Sequence, residues 1–415
     1  MAAATDASTT AVPPVRPNDP VVWVRRNLFA SWPSALATLI LAPAVVVAVV
    51  RGVRFLFVDA RWEIVRVNLA LYLVGPFPRD QIGRLWVALA VLAVALGAGA
   101  GAIAATARET AEAAGRPIRS GWGERVRRAG PPVLLVLGIL AFASGFEPVL
   151  LTAGALALGG GAAAVTQRLT RRGRRFVPTL TVLGIVASLA IISRFGGVPA
   201  TNWGGLLITM FYTIGALLLA FPIGILFALG RRSTLPVVRW GCTAYVEFFR
   251  GSPLITLLFV GWLILPFFLP PDFPTPGLVT RALIIFVFFT SAYVAEIVRG
   301  GLQAVGRGQR EAAQALGLTP WKQTRLVILP QALRAVIPGL VGQAISLFKD
   351  TTLVLIIGQS DLLAVARSVT KQDEFLGKGY IVESLAFVAI VYWVISYWMS
   401  RESQRLEARL GVGTR

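Results

Sequence analysis

The 415 residues are 56% hydrophobic and only 14% charged, with a formal net charge of +20, which is too apolar for an ordinary water-soluble chain of this length. The absence of His and the single Cys242 exclude His-based acid–base chemistry, Ser-His-Asp triads, His-ligated zinc or haem, and intrachain disulfides. A net charge of +20 would suggest nucleic acid in a soluble protein, but here the arginines sit in short segments between apolar runs and not on a free basic face with interleaved aromatics, which argues against it.

Residues 1–24, rich in Ala, Thr, Ser and Pro, read as a flexible cytoplasmic tail. Arg25-Arg26-Asn27-Leu28-Phe29 precedes an apolar run; these arginines fix the amino end inside, ahead of an uncleaved anchor and not a removable signal. A run of about 20 apolar residues crosses a bilayer, and the candidates are 34–57, 83–105, 131–144, 148–165, 177–192, 205–229, 252–270, 277–298, 332–357 and 380–399. The stretch 131–165 is counted as two crossings, with one re-entrant pair as the alternative. The expected fold is all-α and integral to the membrane, with about ten spans in a range of eight to ten. An even count leaves both termini on the cytoplasmic side. Basic loops at 106–130, 166–176 and 230–251 support this alternation, while 58–82, assigned outside, holds Arg61, Arg66 and Arg79.

The texture changes near residue 200. Before it, 25–200 is a transmembrane extension of about five spans, rich in Ala, Val, Leu and Gly. After it, 201–401 is a core of about five spans interrupted by Pro and Gly, followed by a cytoplasmic tail at 402–415. Pro222, Pro253 and Pro266 mark kinks or broken helices of the kind that expose backbone groups to a cavity.

Between two core spans lies Arg299–Pro338, with Arg299, Arg307, Arg310, Lys322, Arg325 and Arg334 against the single acid Glu311. Gly308–Leu316 suits a short helix ended by Gly317, and Thr319-Pro320 suits the start of a second. Leu329-Pro330 then breaks regular helix, since Pro lacks a donor and restrains the residue before it. The expectation is a rigid projection on which Ala312 and Ala313 admit close approach, with Glu311 beside them to accept from a partner or from Arg307 one turn back.

Glu311-Ala312-Ala313, Gly317 six residues after the Glu and Leu329-Pro330 eighteen after it resemble the EAA loop of bacterial ABC-importer permeases. Val327 stands where that family has Ile, and Gly306 where it has Pro. The stretches 245–254, 293–302, 329–334 and 347–353 resemble permeases of polar amino-acid importers, covering about 204–401. At the amino end, 25–29 and 73–78 resemble the longer permeases of general L-amino-acid importers. The resemblance implies a type I importer core in the carboxy-terminal half. Its EAA loop would dock, through Arg307, Glu311, Ala312, Ala313, Gly317, Leu329 and Pro330, into a separate ATPase subunit. It also implies a pair of such ATPases using ATP and Mg, a second identical or homologous permease, and a periplasmic amino-acid-binding protein. The setting would be the inner membrane, with lipid around the chain and alternating access as mechanism. No GxxxxGK[ST] phosphate loop is present, so no cofactor is expected on this chain.

Lys349-Asp350-Thr351-Thr352 interrupts an apolar run. It reads either as part of a translocation path or as a self-satisfied Lys–Asp pair at a helix end. Glu247 and Arg250 precede the start of the span at 252–270, Glu296 and Arg299 end the span at 277–298, and all four read as structural or gating charges. No catalytic or metal-binding constellation is apparent. The alternative reading, a stand-alone secondary transporter or channel, rests on Lys349 and Asp350.

Overall fold

The computed structural model describes residues 20–113, 146–194 and 197–410; the expected span at 131–144 lies outside them. Contacts divide the chain into two compact units, Met1–Arg61 and Trp62–Arg415. In the first, α1 (Pro20–Leu28) precedes α2 (Trp32–Arg54). A reciprocal capping box starts α2: Ser34 N–H donates to Ser31 Oγ and Ser31 N–H to Ser34 Oγ. None of its side chains is buried.

In the second unit, α3 (Glu63–Val74), α4 (Ile82–Ala113), α5 (Phe146–Arg168), α6 (Arg171–Arg174) and α7 (Val177–Ser193) belong to the extension. The association of α4, α5 and α7 follows the rule for helices in lipid, where small residues let backbones approach. A Cβ on Gly97 would lie 2.1 Å from the Gly159 carbonyl oxygen, and one on Gly184 2.5 Å from Ala95 Cβ. Hydroxyls bridge the seams: Thr166 donates to the Ala98 carbonyl (3.1 Å), Thr181 to Ala95 (3.2 Å) and Ser188 to Ala88 (2.9 Å).

The core comprises α8 (Gly205–Gly230), α9 (Pro236–Gly251), α10 (Leu254–Phe259), α11 (Leu278–Ala304), α12 (Arg307–Ala315), α13 (Pro320–Lys322), α14 (Leu329–Asp350), α15 (Leu362–Val369) and α16 (Ile381–Leu410). Helix α11 is central: 61% of its most apolar stretch is buried, against 33% or less in the other spans. Among the described residues eight helices are long and apolar enough to cross a bilayer, and nine with one bent pair.

That pair corrects the expected span 252–270. The chain bends by 103° between α9 and α10, because Pro253 holds Ser252 extended (φ −94°, ψ 137°). The second leg is six residues of α-helix, then a π-turn (Val260–Ile264) and a 3-10 turn (Leu265–Phe268). Pro266 has no N–H for the carbonyl of Trp262 four residues back, and Arg281 Nη1 donates to that oxygen instead (2.5 Å).

The 58–82 stretch, expected as a loop, contains α3. It buries Ile64, Val65, Leu69 and Tyr72 in one cluster with Leu362, Val365, Ala366 and Phe387, so the extension is packed into the core. The Tyr72 and Ser384 hydroxyls share a hydrogen bond of 2.6 Å, and Gln372 Nε2 donates to Asn68 Oδ1 (2.9 Å). Gly75 (φ +64°) then turns the chain where a Cβ would sit 2.4 Å from Gly204 Cα. At the other end, α16 runs on to Leu410, through most of the stretch expected as a tail.

Candidate functional site: the basic elbow and the charges beneath it

Helix α12 begins after Gly306, extended at φ −58° and ψ 147°, and stops in a Schellman motif. Gly317 N–H donates to the Gln314 carbonyl (2.8 Å) and Leu318 N–H to Ala313 (3.2 Å), with Gly317 at φ +69°. A side chain at that φ costs roughly 1–2 kcal/mol. Thr319 is extended before Pro320, as an N-cap should be, but its side chain makes no capping bond.

The expected break at Leu329-Pro330 takes another form. Gln323–Ile328 is a π-turn that runs into α14, with Pro330 within its first turn, so 320–357 continues as one helical rod of 38 residues. The wider turn accommodates the ring of Pro330, which would crowd the preceding carbonyl in a regular α-helix. The elbow is thus welded to a span and not hinged from it. Gln323 is buried and donates to the Leu318 carbonyl (2.6 Å), while Gln331 Nε2 reaches Gln309 Oε1 (3.0 Å).

The two alanines divide their tasks. Ala313 is 2% exposed, facing the π-turn, whereas Ala312 and Glu311 face outward. No ion pair joins Glu311 to Arg307 among the described residues, so its carboxylate is open to a partner. Three large apolar side chains stand out on the same elbow, Leu316, Trp321 and Leu326. Exposed apolar groups amid basic ones mark an interaction surface more than a solvated loop.

Directly beneath, Glu247, Arg250, Glu296 and Arg299 converge. Arg299 grips Glu296 with two bonds (2.5 and 2.9 Å), Arg250 lies 3.7 Å from it, and Arg231 spans Glu296 (2.9 Å) and Glu247 (2.8 Å). Sequence reasoning missed Arg231, which stands one residue past an apolar run and reads there as a topology charge. Arg232 donates to the Leu302 carbonyl (3.1 Å) at the foot of α12.

The structure separates the four residues of the candidate path. Lys349 is exposed, Asp350 half-buried, and among the described residues no ion pair joins them, so the self-satisfied pair is not formed. Thr351 is fully buried and donates to the Phe348 carbonyl, and Thr352 to that of Lys349 (2.7 and 2.8 Å). Both threonines serve the change from α-helix to the 3-10 turn Thr351–Ile357, ended by Gly358 at φ +81°. Lys349 and Asp350 remain as candidates.

Sequence reasoning also missed Asp361, a fully buried carboxylate that caps α15 by accepting from Ala364 N–H (2.9 Å) and Leu363 N–H (3.1 Å). Burial pushes its carboxyl up from 3.8 to about 6, against the opposing pull of the two N–H groups and Arg367. A folded value above the unfolded one favours the fold most when the group is protonated. That contribution is complete below about pH 4 and declines by roughly 3 kcal/mol as pH rises past 6. Asp361→Asn keeps the capping oxygen, so its melting temperature in detergent should stay flat between pH 4 and 7 where the wild type falls. A parallel decline in both would remove Asp361 as the cause.

Residues 220–412 match the family of binding-protein-dependent transport system inner membrane components. The inner membrane amino-acid ABC transporter permease protein YhdY of Escherichia coli (strain K12) is 48% identical over 216 residues, 52% of this chain and 58% of YhdY. The glutamate/glutamine/aspartate/asparagine transport system permease protein BztC of Rhodobacter capsulatus is 35% identical over 368 residues, 85% of this chain and 79% of BztC. That match extends well into the amino-terminal extension. Among solved structures, an amino acid ABC transporter with histidines is 30% identical over 49% of this chain and 90% of that chain, with a TM-score of 0.43.

Proposed function

This chain belongs to the family of inner-membrane permease components of amino-acid ABC transporters, transport subunits whose ATPase is a separate chain, and from that premise we propose that its elbow is the surface through which ATP binding is transmitted. The observation that carries the proposal is the pairing of rigidity with exposure. Glu311, Ala312, Leu316 and Trp321 face outward on a projection capped by Gly317 and continuous with the span 320–357. A partner that moves the elbow therefore moves that span.

The partners this requires are a dimer of ATPase subunits using ATP and Mg, a second permease, identical or homologous, and a periplasmic amino-acid-binding protein. The elbow and the basic loops then face the cytoplasm, as do both termini, in the inner membrane. Closure of the ATPase pair opens the bundle outward, and hydrolysis returns it; the ATPase biases this equilibrium only by binding the two states differently. Lys349 and Asp350, ionisable and without an ion pair among the described residues, beside the change from α-helix to 3-10 turn, are the groups proposed to meet the ammonium and carboxylate of the passing substrate.

The substrate class proposed is acidic amino acids and their amides, following BztC, a glutamate/glutamine/aspartate/asparagine transport system permease. In vesicles containing the full complex, unlabelled glutamate, glutamine, aspartate and asparagine should each compete with labelled glutamate uptake. Competition by sugars or metal ions without competition by amino acids would overturn the assignment.

A further inference from the structure

Behind the elbow, two adjoining cavities of about 490 and 520 Å³ share Arg232 and Gln303 in their walls. The larger is lined by Arg231, Arg232, Arg239 and Arg299 together with Trp240, and no acid is among its lining residues. Arg231 and Arg299 spend their charge on Glu296 and Glu247, which lie outside that lining. Among the described residues, Arg232 has only the Leu302 carbonyl. Burial, and then the like charges of Arg310 and Arg299, hold its guanidinium below the usual arginine range. A cation so placed is left short of an anion.

The neighbouring helix says which anion. Helix α9 is amphipathic, with Leu235 just ahead of it and Val237, Trp240 and Phe248 on it all strongly exposed, in the manner of a helix lying at the membrane surface with its apolar side in the acyl region. Trp240 therefore joins the arginine-lined cavity to an apolar surface, and a ligand fitting both has a phosphate at one end and hydrocarbon at the other. We propose that this cavity binds the headgroup phosphate of an anionic phospholipid from the cytoplasmic leaflet, with Arg232 and Arg239 as its anion-binding groups. Basic pockets between spans on that leaflet are suited to such headgroups. The lipid would sit between α9 and the foot of the coupling helix α12, so it would brace the base of the elbow.

The test uses the full-length chain in nanodiscs of phosphatidylcholine doped with bromine-labelled phosphatidylglycerol. Of the quenching summed over the 11 tryptophans, the share owed to Trp240 should be lost in Trp240→Phe, and its dependence on phosphatidylglycerol with it. Wild type should also prefer phosphatidylglycerol over phosphatidylcholine by about twenty-five-fold, two arginines contributing about fivefold each. Arg232→Gln with Arg239→Gln should abolish the preference, and Arg232→Lys with Arg239→Lys should retain most of it, both eluting as intact protein on size exclusion. Equal affinity for the two lipids, or a preference unchanged in the glutamine variant, would overturn the site. Displacement of the lipid by millimolar inorganic phosphate would reassign the cavity to a free anion, and its expulsion on addition of the ATPase would reassign it to the protein partner; each contradicts the proposal. Uptake is not the readout, so failure here leaves the transport assignment standing.

Discussion

Glu311→Lys and Gly317→Pro should each abolish co-purification with the ATPase and cut ATP-driven uptake by about a hundredfold or more, the scale of losing a central interface contact. The two act differently. Glu311 is exposed and makes no ion pair among the described residues, so its reversal leaves the fold intact and places a cation where the partner meets a carboxylate. Gly317→Pro demands φ near −65° where the chain has +69° and removes the N–H that donates to Gln314. It therefore unmakes the Schellman end of α12 while the spans insert normally. Gly317→Ala separates geometry from chemistry: the strain is about 1–2 kcal/mol, so assembly should weaken and not vanish. Full assembly and uptake in both severe variants would show that the elbow is not the coupling surface.

Glu296→Gln should be the most destabilising single change at the base of the elbow. One carboxylate holds Arg231, Arg250 and Arg299, and without it three guanidiniums face one another with only Glu247 to compensate. Breaking a buried pair costs about 3–5 kcal/mol; with Glu296 24% exposed, the lower end, about 3 kcal/mol, is expected. Glu247→Gln removes one outer contact of an exposed acid and should cost about 1 kcal/mol or less. Thermal unfolding in detergent distinguishes the two, and equal losses would mean that Glu296 is not the hub.

The contrast between these sites shows what a sequence can carry. The positive φ at Gly317 is legible because a glycine after a helix-forming run has few other reasons to be there. The spans are legible because lipid demands unbroken apolar runs. Prolines were legible as interruptions and misleading as to kind. Pro330 follows a π-turn inside a continuous rod, whereas Pro253 turns the chain through 103°. The difference lies in what surrounds each ring, and spacing does not encode that. Arg231 and Asp361 were illegible for a related reason. Arg231 meets Glu296 across 65 residues of chain, and Asp361 is identified by its burial and not by its neighbours in sequence. The helix α3 was hidden by the arginines in and just ahead of it, since Arg61 and Arg66 read as loop charges while Ile64, Val65, Leu69 and Tyr72 form a buried face only once α15 and α16 are in place.

The central claim is that the elbow faces the cytoplasm and is covered by an ATPase. With Cys242→Ala as background, Gln314→Cys places a thiol on the exposed side of α12. A membrane-impermeant maleimide should label it only in inside-out vesicles, and an assembled ATPase should protect it. Labelling from the periplasmic side, or undiminished labelling in the assembled complex, would contradict the account.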